Sequence, residues 1–252
     1  MTKIIKLVET SSTNDVAREA LRESGADRVA VIAGFQTAGR GRNKNVWLGA
    51  PGQNVYFSYG IKWGTPPPEL ERLVSLQGAA CLAVKAALSR FAPEAFFRIK
   101  YPNDAYALSP DGKARKISGS LVEHSFLGEG CENSIIGIGI NVAQTEFPVE
   151  IDAASLATLG ARAIPADVAQ ALLEELELAL GAGAGEIMNR WRRELALDGK
   201  LIAILASGEK ALAEEIMPDG RLRAVAIGSG REIFIDNGDS VRYDMFAEGA
   251  AQ

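Results

Sequence analysis

The chain has 252 residues with 47% hydrophobic and 23% charged side chains, which is typical of a soluble protein and allows a large domain plus a small one. Its net charge of −5 argues against general nucleic-acid binding, which needs a basic footprint. No stretch approaches the roughly 20 apolar residues of a membrane span, and no signal peptide is visible. We therefore expect a cytoplasmic protein without a membrane anchor.

Residues that often carry chemistry are scarce. Cys81 and Cys131 are the only cysteines, so a disulfide framework is not expected and reduced thiols are predicted. The single histidine, His124, almost excludes His-based triads and multi-histidine metal sites. We expect it at the surface or behind a site rather than as a catalyst.

The first part of the chain predicts alternating strands and helices. Residues 3–9 predict a strand, and the polar run 11–15 predicts the start of a helix that ends at Gly25. Those polar side chains are of helix-capping types, and they could also face a ligand at the helix N-terminus, where backbone N–H groups are free. Residues 29–33 predict a short apolar strand, and residues 54–62 predict the next one.

The loop between these two strands alternates glycines with arginines. Gly39 and Gly41 let the backbone bend so that successive N–H groups converge on an anion, and Arg40 and Arg42 add cationic forks suited to carboxylate or phosphate. The indole ring of Trp47 then provides a flat apolar surface. The pattern predicts a loop that orders around a negatively charged ligand. From the loop alone, a solvated basic turn or an arginine–glycine segment that touches RNA is an equal alternative.

A second polar cluster is predicted at a strand end. Residues 96–100 predict a strand, and Pro102 favours extended geometry before it, which leaves Lys100, Asn103 and Asp104 close together. A cation, an amide and a carboxylate there could serve a nucleotide and its Mg²⁺. A plain turn is the alternative, because Asn and Asp are common turn residues.

The middle of the chain predicts one long helix and two strands. Residues 69–91 have an apolar helical face, and residues 113–123 and 134–142 predict strands. Gly137 and Gly139 interrupt the second strand, which weakens it unless something must approach its face closely.

The last third of the chain predicts two helices and, after residue 199, a region of short strands. Two helices are predicted at residues 166–183 and 185–196. Residues 200–244 then hold short apolar stretches separated by turns, which predict a small barrel-like β domain. We therefore divide the chain into residues 1–197 and residues 198–252.

Groups of residues that are far apart in the chain now fit one pattern. They are Ser12-Thr13-Asn14, Gln36 to Arg42, Lys100 to Asp104, and Lys116 to Gly119 with Gly137 to Asn141. In this order, and followed by a small β domain, they resemble the biotin–protein ligases (biotin–acetyl-CoA-carboxylase ligases) from about residue 4 to residue 244. The resemblance implies an α/β fold: a mixed β-sheet flanked by helices, like that of class II aminoacyl-tRNA synthetases, with a C-terminal SH3-like β-barrel.

The resemblance also implies a two-step reaction with ATP and biotin as substrates and Mg²⁺ as cofactor. Biotin and ATP give biotinyl-5′-AMP and pyrophosphate, and a lysine of a biotin carboxyl carrier protein then attacks the mixed anhydride. The implied catalytic residues are Lys116, Arg40 and Arg42. The implied biotin-binding residues are Ser12, Thr13, Asn14, Gln36, Gly39, Arg40, Gly41, Arg42, Lys116 and Gly119. The implied nucleotide-binding residues are Trp47, Lys100, Asn103, Asp104 and Asn141, with Asp104 as the Mg²⁺ ligand.

The physical chemistry agrees with this reaction. Joining a carboxylate to a polyphosphate needs cations where negative charge develops, and the arginines, the lysines and a metal supply them. The adenylate is itself the activated acyl group, so the enzyme needs positioning and exclusion of water rather than a nucleophile of its own.

The sequence departs from the family pattern at several positions. Residues 43–46 read Asn-Lys-Asn-Val where many members repeat Arg-Gly-Arg, Gly49 replaces a serine, and Tyr101 replaces a tryptophan. These changes put loop closure and adenylate retention in question. We also see no room for the N-terminal winged-helix domain with which some relatives repress transcription, and we expect no binding to DNA.

Two rival functions stay open. A lipoate–protein ligase or octanoyltransferase would share the fold but normally lacks the Gly-Arg-Gly-Arg loop. A biotin- or nucleotide-sensing protein without turnover would belong to another class.

The carrier protein is expected to dock by strand addition at a sheet edge, and the resemblance allows a homodimer.

Overall fold

The computed structural model describes residues 1–42, 45–148 and 150–246. Its first part alternates helices and strands, and its last part consists of short strands. The strands are β1 Lys3–Leu7, β2 Arg28–Ala33, β3 Asn54–Lys62, β4 Phe97–Lys100, β5 Asp104–Leu108, β6 Ala114–Leu127, β7 Gly130–Asn141, β8 Leu201–Ile204, β9 Lys210–Ile216, β10 Leu222–Ala226, β11 Glu232–Ile235 and β12 Val241–Arg242. The helices are α1 Thr13–Glu23, α2 Leu70–Phe91, α3 Pro165–Leu180 and α4 Ala184–Leu195, with 3₁₀ turns at Ala157–Leu159 and Gly238–Ser240.

The large sheet has seven strands in the order β1-β2-β3-β7-β6-β5-β4. Strands β1 and β2 are parallel and the other neighbours are antiparallel, so the sheet is mixed. Helices α2, α3 and α4 cover one face and bury the main apolar core, in which Leu76, Ile136 and Leu172 are fully buried. This architecture confirms the predicted fold class.

Helix α1 lies alone on the opposite face. Val29 and Val31 of β2 pack against Ala17 and Leu21 of α1, whereas Ala30 between them points into the main core, as the alternation of side chains along a strand requires. Because α1 covers only the part of this face near β2, β3 and β7, the part formed by β5, β6 and β7 is left for a cleft.

The C-terminal strands form a five-stranded antiparallel sheet in the order β11-β10-β9-β8-β12, in keeping with an SH3-like half-barrel. Its buried residues, such as Ala224 and Val241, belong to the same apolar cluster as the main core. The division at residues 197 and 198 stays a prediction, because the core is continuous across it.

Tyr101 joins the two sheets. Its side chain is buried, its ring stacks on Trp191 with centroids 6.4 Å apart, and its hydroxyl lies 2.9 Å from the Gly220 carbonyl oxygen and 2.8 Å from that of Ile235. Burial raises the pKa of Tyr101 to about 12, so the hydroxyl remains a hydrogen-bond donor. Tyr101 therefore contributes to packing between the two sheets.

The start of α1 differs from a simple cap. Ser12 occupies the N-cap position, but its side chain makes no capping hydrogen bond. The side chains of Thr13 and Asn14, both buried, turn toward the sheet instead. The polar run is therefore used for contacts across the cleft floor rather than for capping.

Candidate functional site

A cleft lies on the α1 face of the large sheet, between the start of α1, the arginine–glycine loop and a turn of the C-terminal sheet. It gathers most of the residues singled out from the sequence, although they come from distant parts of the chain. Its lining includes Ser12, Thr13, Asn14, Gln36, Arg40, Gly41, Arg42, Trp47, Lys100, Asn103, Asp104, Lys116, Gly119, Gly137, Gly139 and Asn237 to Asp239.

Two glycines of β7 make room for side chains that lie on the cleft floor. A Cβ on Gly137 would lie 2.4 Å from Asn14 Oδ1, and a Cβ on Gly139 would lie 2.3 Å from Trp47 Cε2. Neither position accepts a side chain while Asn14 and Trp47 stay in place. The close approach predicted for this strand is thus confirmed, and the two glycines divide the floor into a polar half and an aromatic half.

The polar half is a hydrogen-bonded cluster. Gln36 Oε1 accepts from the backbone N–H and the hydroxyl of Thr13, at 2.7 and 2.8 Å. Ser58 Oγ, from the buried strand β3, lies 2.7 Å from Thr13 Oγ1 and 2.5 Å from Asn14 Oδ1. The Asn14 amide donates to Glu123 Oε2 at 2.7 Å. Such a network fixes the rotamers of groups that can bind a polar, uncharged ligand.

An ion pair marks the other side of the floor. Lys116 Nζ lies 2.7 Å from Asp104 Oδ2 and 5.9 Å from the centroid of the Trp47 ring. Asp104 Oδ1 is buried without a hydrogen-bond partner. A Cβ on Gly119 would come within 3.2 Å of both charged groups, so the glycine lets the pair lie against the sheet.

A β-bulge places Lys116 on the cleft face. Asp104 opposes Gly119, but two residues further along β5 Tyr106 opposes Lys116, so Ile117 has no partner in the ladder. Directly opposed residues share a face of the sheet, and a regular strand would have put Lys116 on the face opposite to that of Gly119. The extra residue reverses this, and Ile117 is fully buried.

The arginine–glycine loop forms a hairpin over the cleft. Arg40 and Val46 form an antiparallel bridge, and the Trp47 N–H donates to the Gly39 carbonyl at 3.0 Å. The hairpin is thereby held at both limbs, which carries Trp47 onto the sheet. Two of the departing residues, 43 and 44, lie outside the described part of the chain.

Both arginines of the hairpin have partners outside it. Arg40 makes a two-point contact with Asp15 of α1, with N–O distances of 2.8 and 2.6 Å. Its hydrogen bonds lower the pKa of the Asp15 carboxyl. Arg42 donates to the Asp236 carbonyl oxygen at 2.9 Å, so it links the hairpin to the C-terminal sheet.

A turn of the C-terminal sheet reaches the cleft beside Lys100. Residues 237–239 line the cleft, and Arg242 donates to the Asp239 carbonyl oxygen at 3.2 Å. Burial, followed by the nearby Arg242 guanidinium, lowers the pKa of Lys100. The ammonium group of Lys100 lies 5.7 Å from the centroid of the Tyr106 ring.

Two of the predicted nucleotide-side residues use their amides within the protein. Asn103 lines the cleft, and its Nδ2 donates to the Ser120 carbonyl oxygen at 2.7 Å. Asn141 is buried, and its Nδ2 donates to the Ala154 carbonyl oxygen at 3.0 Å. Asn141 therefore holds the segment after β7 and is not brought into the cleft. Its predicted contact with a nucleotide stays a prediction.

Several groups beside the cleft had no separate role predicted from the sequence. Ser58 and Glu123 were predicted only as parts of strands, and Asp15 only as part of the polar run that begins α1. The sequence predicted only a turn at Asn237 to Asp239. A signal for Ser58 did exist, because a serine among aromatic and apolar residues of a buried strand needs a hydrogen-bond partner.

The family model described as the biotin/lipoate A/B protein ligase family matches residues 7–141, which is more than half of the chain. The chain belongs to this family. The match ends with β7, so it contains the α1 start, the hairpin and the Lys116–Asp104 pair. The resemblance stated from the motifs is thereby confirmed.

Similar proteins span almost the whole chain. The biotin–[acetyl-CoA-carboxylase] ligase of Mycobacterium tuberculosis is 29% identical over 245 residues, which cover 93% of this chain and 87% of that protein. The biotin protein ligase of Aquifex aeolicus, solved with biotin and ATP, is 28% identical with a TM-score of 0.69, covering 96% of this chain and 99% of that one. The Leishmania major ligase, solved with biotinyl-5-AMP, is 26% identical with a TM-score of 0.55, covering 93% and 99%.

These findings confirm the predicted enzyme class, and they agree with the scarcity of other chemistry in the described residues. Both cysteines are buried and free, and His124 lies outside the cleft, 2.8 Å from Ser134 Oγ. Within residues 1–42, 45–148 and 150–246, no helix is long and apolar enough to cross a lipid bilayer.

Proposed function

We propose that this chain is an ATP-dependent biotin–protein ligase that makes biotinyl-5′-AMP and transfers biotin to a lysine of a biotin carboxyl carrier protein. The observation that carries the proposal is the position of Lys116. Its ammonium group lies in a cleft that has a polar cluster around Asn14 in one half and the Trp47 ring in the other. The ligases of Mycobacterium tuberculosis and Aquifex aeolicus support it by their names and by the biotin and ATP in the latter.

In the first step a biotin carboxylate oxygen attacks the α-phosphorus of ATP, and pyrophosphate leaves. The polar half of the floor, with Thr13, Asn14 and Gln36, supplies donors and acceptors for the ureido head of biotin. Lys116 then lies between the biotin carboxylate and the α-phosphate, where its positive charge offsets the repulsion of the two anions. Arg40 and Arg42 in the hairpin add positive charge to the lining of the same cleft.

In the second step the amine of a carrier lysine attacks the acyl carbon of the adenylate. A C–N bond forms, the C–O bond to AMP breaks, and the nitrogen loses a proton to solvent or to the leaving phosphate. No cysteine or histidine is among the described residues that line the cleft, which fits a reaction without an enzyme nucleophile. The chain contributes positioning and shelter from water.

Magnesium fits the site as a companion of ATP. No group of three His, Cys, Asp or Glu side chains in the described ranges could hold a metal ion alone. Mg²⁺ commonly binds through one or two carboxylates together with substrate phosphates. Asp104 would be that carboxylate, because its Oδ1 is buried and has no hydrogen-bond partner. The bound ion would neutralise negative charge on the phosphates.

We also propose the functional division of the chain at residues 197 and 198. The first part would bind both substrates, and the second would press the turn at residues 237–239 against the nucleotide side. The carrier protein would approach the open end of the cleft, with docking by strand addition at a sheet edge as the expected mode.

The experiment that tests the proposal is exchange of labelled pyrophosphate into ATP with Mg²⁺, compared for biotin, lipoate and octanoate. Exchange with biotin alone supports the ligase. Exchange with lipoate or octanoate instead would keep the family and overturn the substrate. Absence of exchange with all three, despite measurable biotin binding, would favour a sensor without turnover. Lys116→Met is the matched variant, and it should abolish exchange while biotin still binds.

A further inference from the structure

A continuous network of charged and polar side chains runs along α1 from the hairpin to the cleft floor. It begins with the two-point contact of Arg40 on Asp15, at 2.8 and 2.6 Å. Arg18, one turn along the helix, lies 3.1 Å from Asp15 Oδ1 and 3.1 Å from Glu123 Oε2. Glu123 Oε2 also accepts from the Asn14 amide at 2.7 Å.

This network of side chains closes into a ring. From Asn14 the contacts continue through Ser58 and Thr13 to Gln36, which begins the loop that carries Arg40. The segment from Gln36 to Arg40 is therefore held at one end by Thr13 and at the other by Asp15, both in the first turn of α1. The residues that face the ligand and the hairpin that covers it are one connected unit.

Among the side chains of this network that the structure describes, Asp15 is the one hydrogen-bonded to Arg40, at the far end of that segment. Both terminal nitrogens of Arg40 donate hydrogen bonds to the two oxygens of Asp15, and Arg18 adds a third donor to Oδ1. A two-point guanidinium–carboxylate contact fixes orientation as well as distance, which a lysine or a single hydrogen bond does not. The backbone bridge between Arg40 and Val46 then transmits that orientation to the second limb, which carries Trp47.

We propose that Asp15 is a positioning residue that holds the Gly39–Trp47 hairpin over the cleft through Arg40, with Arg18 and Glu123 fixing the carboxylate in place. This proposal rests on the function proposed above, in which the hairpin retains the adenylate and excludes water. Asp15 does not touch the reacting atoms. It sets how often the hairpin opens.

The first test uses the ligand-free protein and does not depend on any activity. Trypsin can cut after Arg40 and Arg42, and cutting at these two positions requires the hairpin to open. Asp15→Asn keeps the shape of the side chain but removes the charge and one acceptor. We expect cleavage after Arg40 and Arg42 to become about two- to fivefold faster, as expected for the loss of a partly exposed ion pair. Asp15→Glu, which restores the carboxylate, should return the rate toward that of the parent.

Glu174→Gln is the matched control. Glu174 pairs with Arg90 at 2.9 Å on the far side of the sheet, and the two side chains are 49% and 48% exposed, close to the 47% and 43% of Asp15 and Arg40. The rate of cleavage after Arg40 and Arg42 in this variant should equal that of the parent. An equal increase in Glu174→Gln and Asp15→Asn, or no increase in Asp15→Asn, would overturn the proposal.

The second test measures release and hydrolysis of the adenylate made from biotin and ATP in the absence of carrier. Asp15→Asn should raise that rate with little change in the Kd for biotin, and Asp15→Glu should lower it again. Faster cleavage without faster hydrolysis would overturn the link between the hairpin and retention. If the parent makes no adenylate, the proposed function fails, while the cleavage result still decides whether Asp15 holds the hairpin.

Discussion

The α-carbon of Gly238 faces the carbonyl oxygen of Tyr101 so closely that a Cβ there would lie 1.9 Å from it. The same Cβ would lie 2.8 Å from Pro102 Cδ. The C-terminal turn is thus seated directly on the loop that positions Asn103 and Asp104. Tyr101 is held from this side as well, because its N–H donates to the Tyr243 hydroxyl at 2.9 Å.

Gly238→Ala should therefore separate the two sheets at the nucleotide side. Because the new methyl group meets backbone rather than a mobile side chain, we expect a loss of about 1–3 kcal/mol in the free energy of unfolding. ATP should bind more weakly and biotin nearly as before. Urea unfolding and calorimetric titration measure both. Gly64→Ala, where a Cβ meets nothing within 4 Å, is the control, and equal effects of the two variants would contradict the seating.

The two glycines of β7 test the assignment of the two halves of the floor. Gly139→Ala should displace Trp47 and raise the KM for ATP about tenfold, which corresponds to about 1.4 kcal/mol of overpacking. Gly137→Ala should displace Asn14 and raise the Kd for biotin by a similar factor. Each variant serves as the control of the other.

Initial-rate kinetics for ATP and calorimetry for biotin provide the measurements. Displacement of Trp47 should also change the tryptophan emission of Gly139→Ala and leave that of Gly137→Ala close to the parent. If both variants weakened both substrates equally, the division of the floor into a biotin half and an ATP half would be wrong.

Most of the fold could be predicted because its signals are local. The apolar run of β3 at Asn54–Lys62 and the helical face of α2 at Leu70–Phe91 match the predicted elements within a residue. Strands β6 and β7 extend further toward the turn at residues 128–129 than predicted, since Leu127 opposes Gly130 beyond the apolar stretches. Periodicity finds the apolar centre of an element better than its polar end.

The site could be predicted only where a residue type carries meaning by itself. Gly137 and Gly139 indicated a close approach, but nothing local indicated that Asn14 and Trp47 make it. The position of Lys116 depends on a bulge at Ile117, which is a property of pairing with β5 and not of the sequence of β6. The contacts of Asp15 and Glu123 could not be predicted for the same reason, because they join distant segments of the chain.

The altered pKa of Lys100 gives a pH dependence. Because burial and Arg242 lower this pKa below the ordinary 10.5, Lys100 loses its charge at a lower pH than an exposed lysine. Its contribution to ATP binding should therefore fall as pH rises, before 10.5 is reached. In that window the folded protein binds fewer protons than the unfolded chain, so this group makes folding more favourable as pH rises.

Rising pH has opposite effects on the two contributions of Lys100, to ATP binding and to the free energy of unfolding. ATP affinity falls while the contribution of Lys100 to stability becomes more favourable, so the titration of this group weakens binding without weakening the fold. Lys100→Arg keeps its charge over this range and should lack the step. Titration of ATP at a series of pH values, with both proteins, measures it. A step of the same size in Lys100→Arg would assign the titration to another group.

Gly49 stands where the resemblance to the family implies a serine, and its surroundings leave little room for a side chain. A Cβ there would lie 2.4 Å from Tyr56 Oη and 2.6 Å from Asn54 Nδ2. Both groups anchor the loop after the hairpin: Tyr56 Oη donates to the Ala50 carbonyl at 3.3 Å, and Asn54 Nδ2 donates to Gln144 Oε1 at 2.6 Å. Gly49→Ser should therefore lower the free energy of unfolding by about 1–3 kcal/mol and should not improve adenylate retention.

Tyr56→Phe tests the cause of that loss. Removing Oη takes away the closest contact of the new side chain at the cost of one long hydrogen bond, so the double variant Gly49→Ser, Tyr56→Phe should lose less stability than the two single variants together. Urea unfolding of the four proteins gives the coupling energy, which should be about 0.5 kcal/mol or more for residues in contact. Additive losses would show that the steric conflict with Tyr56 is not what keeps glycine at this position.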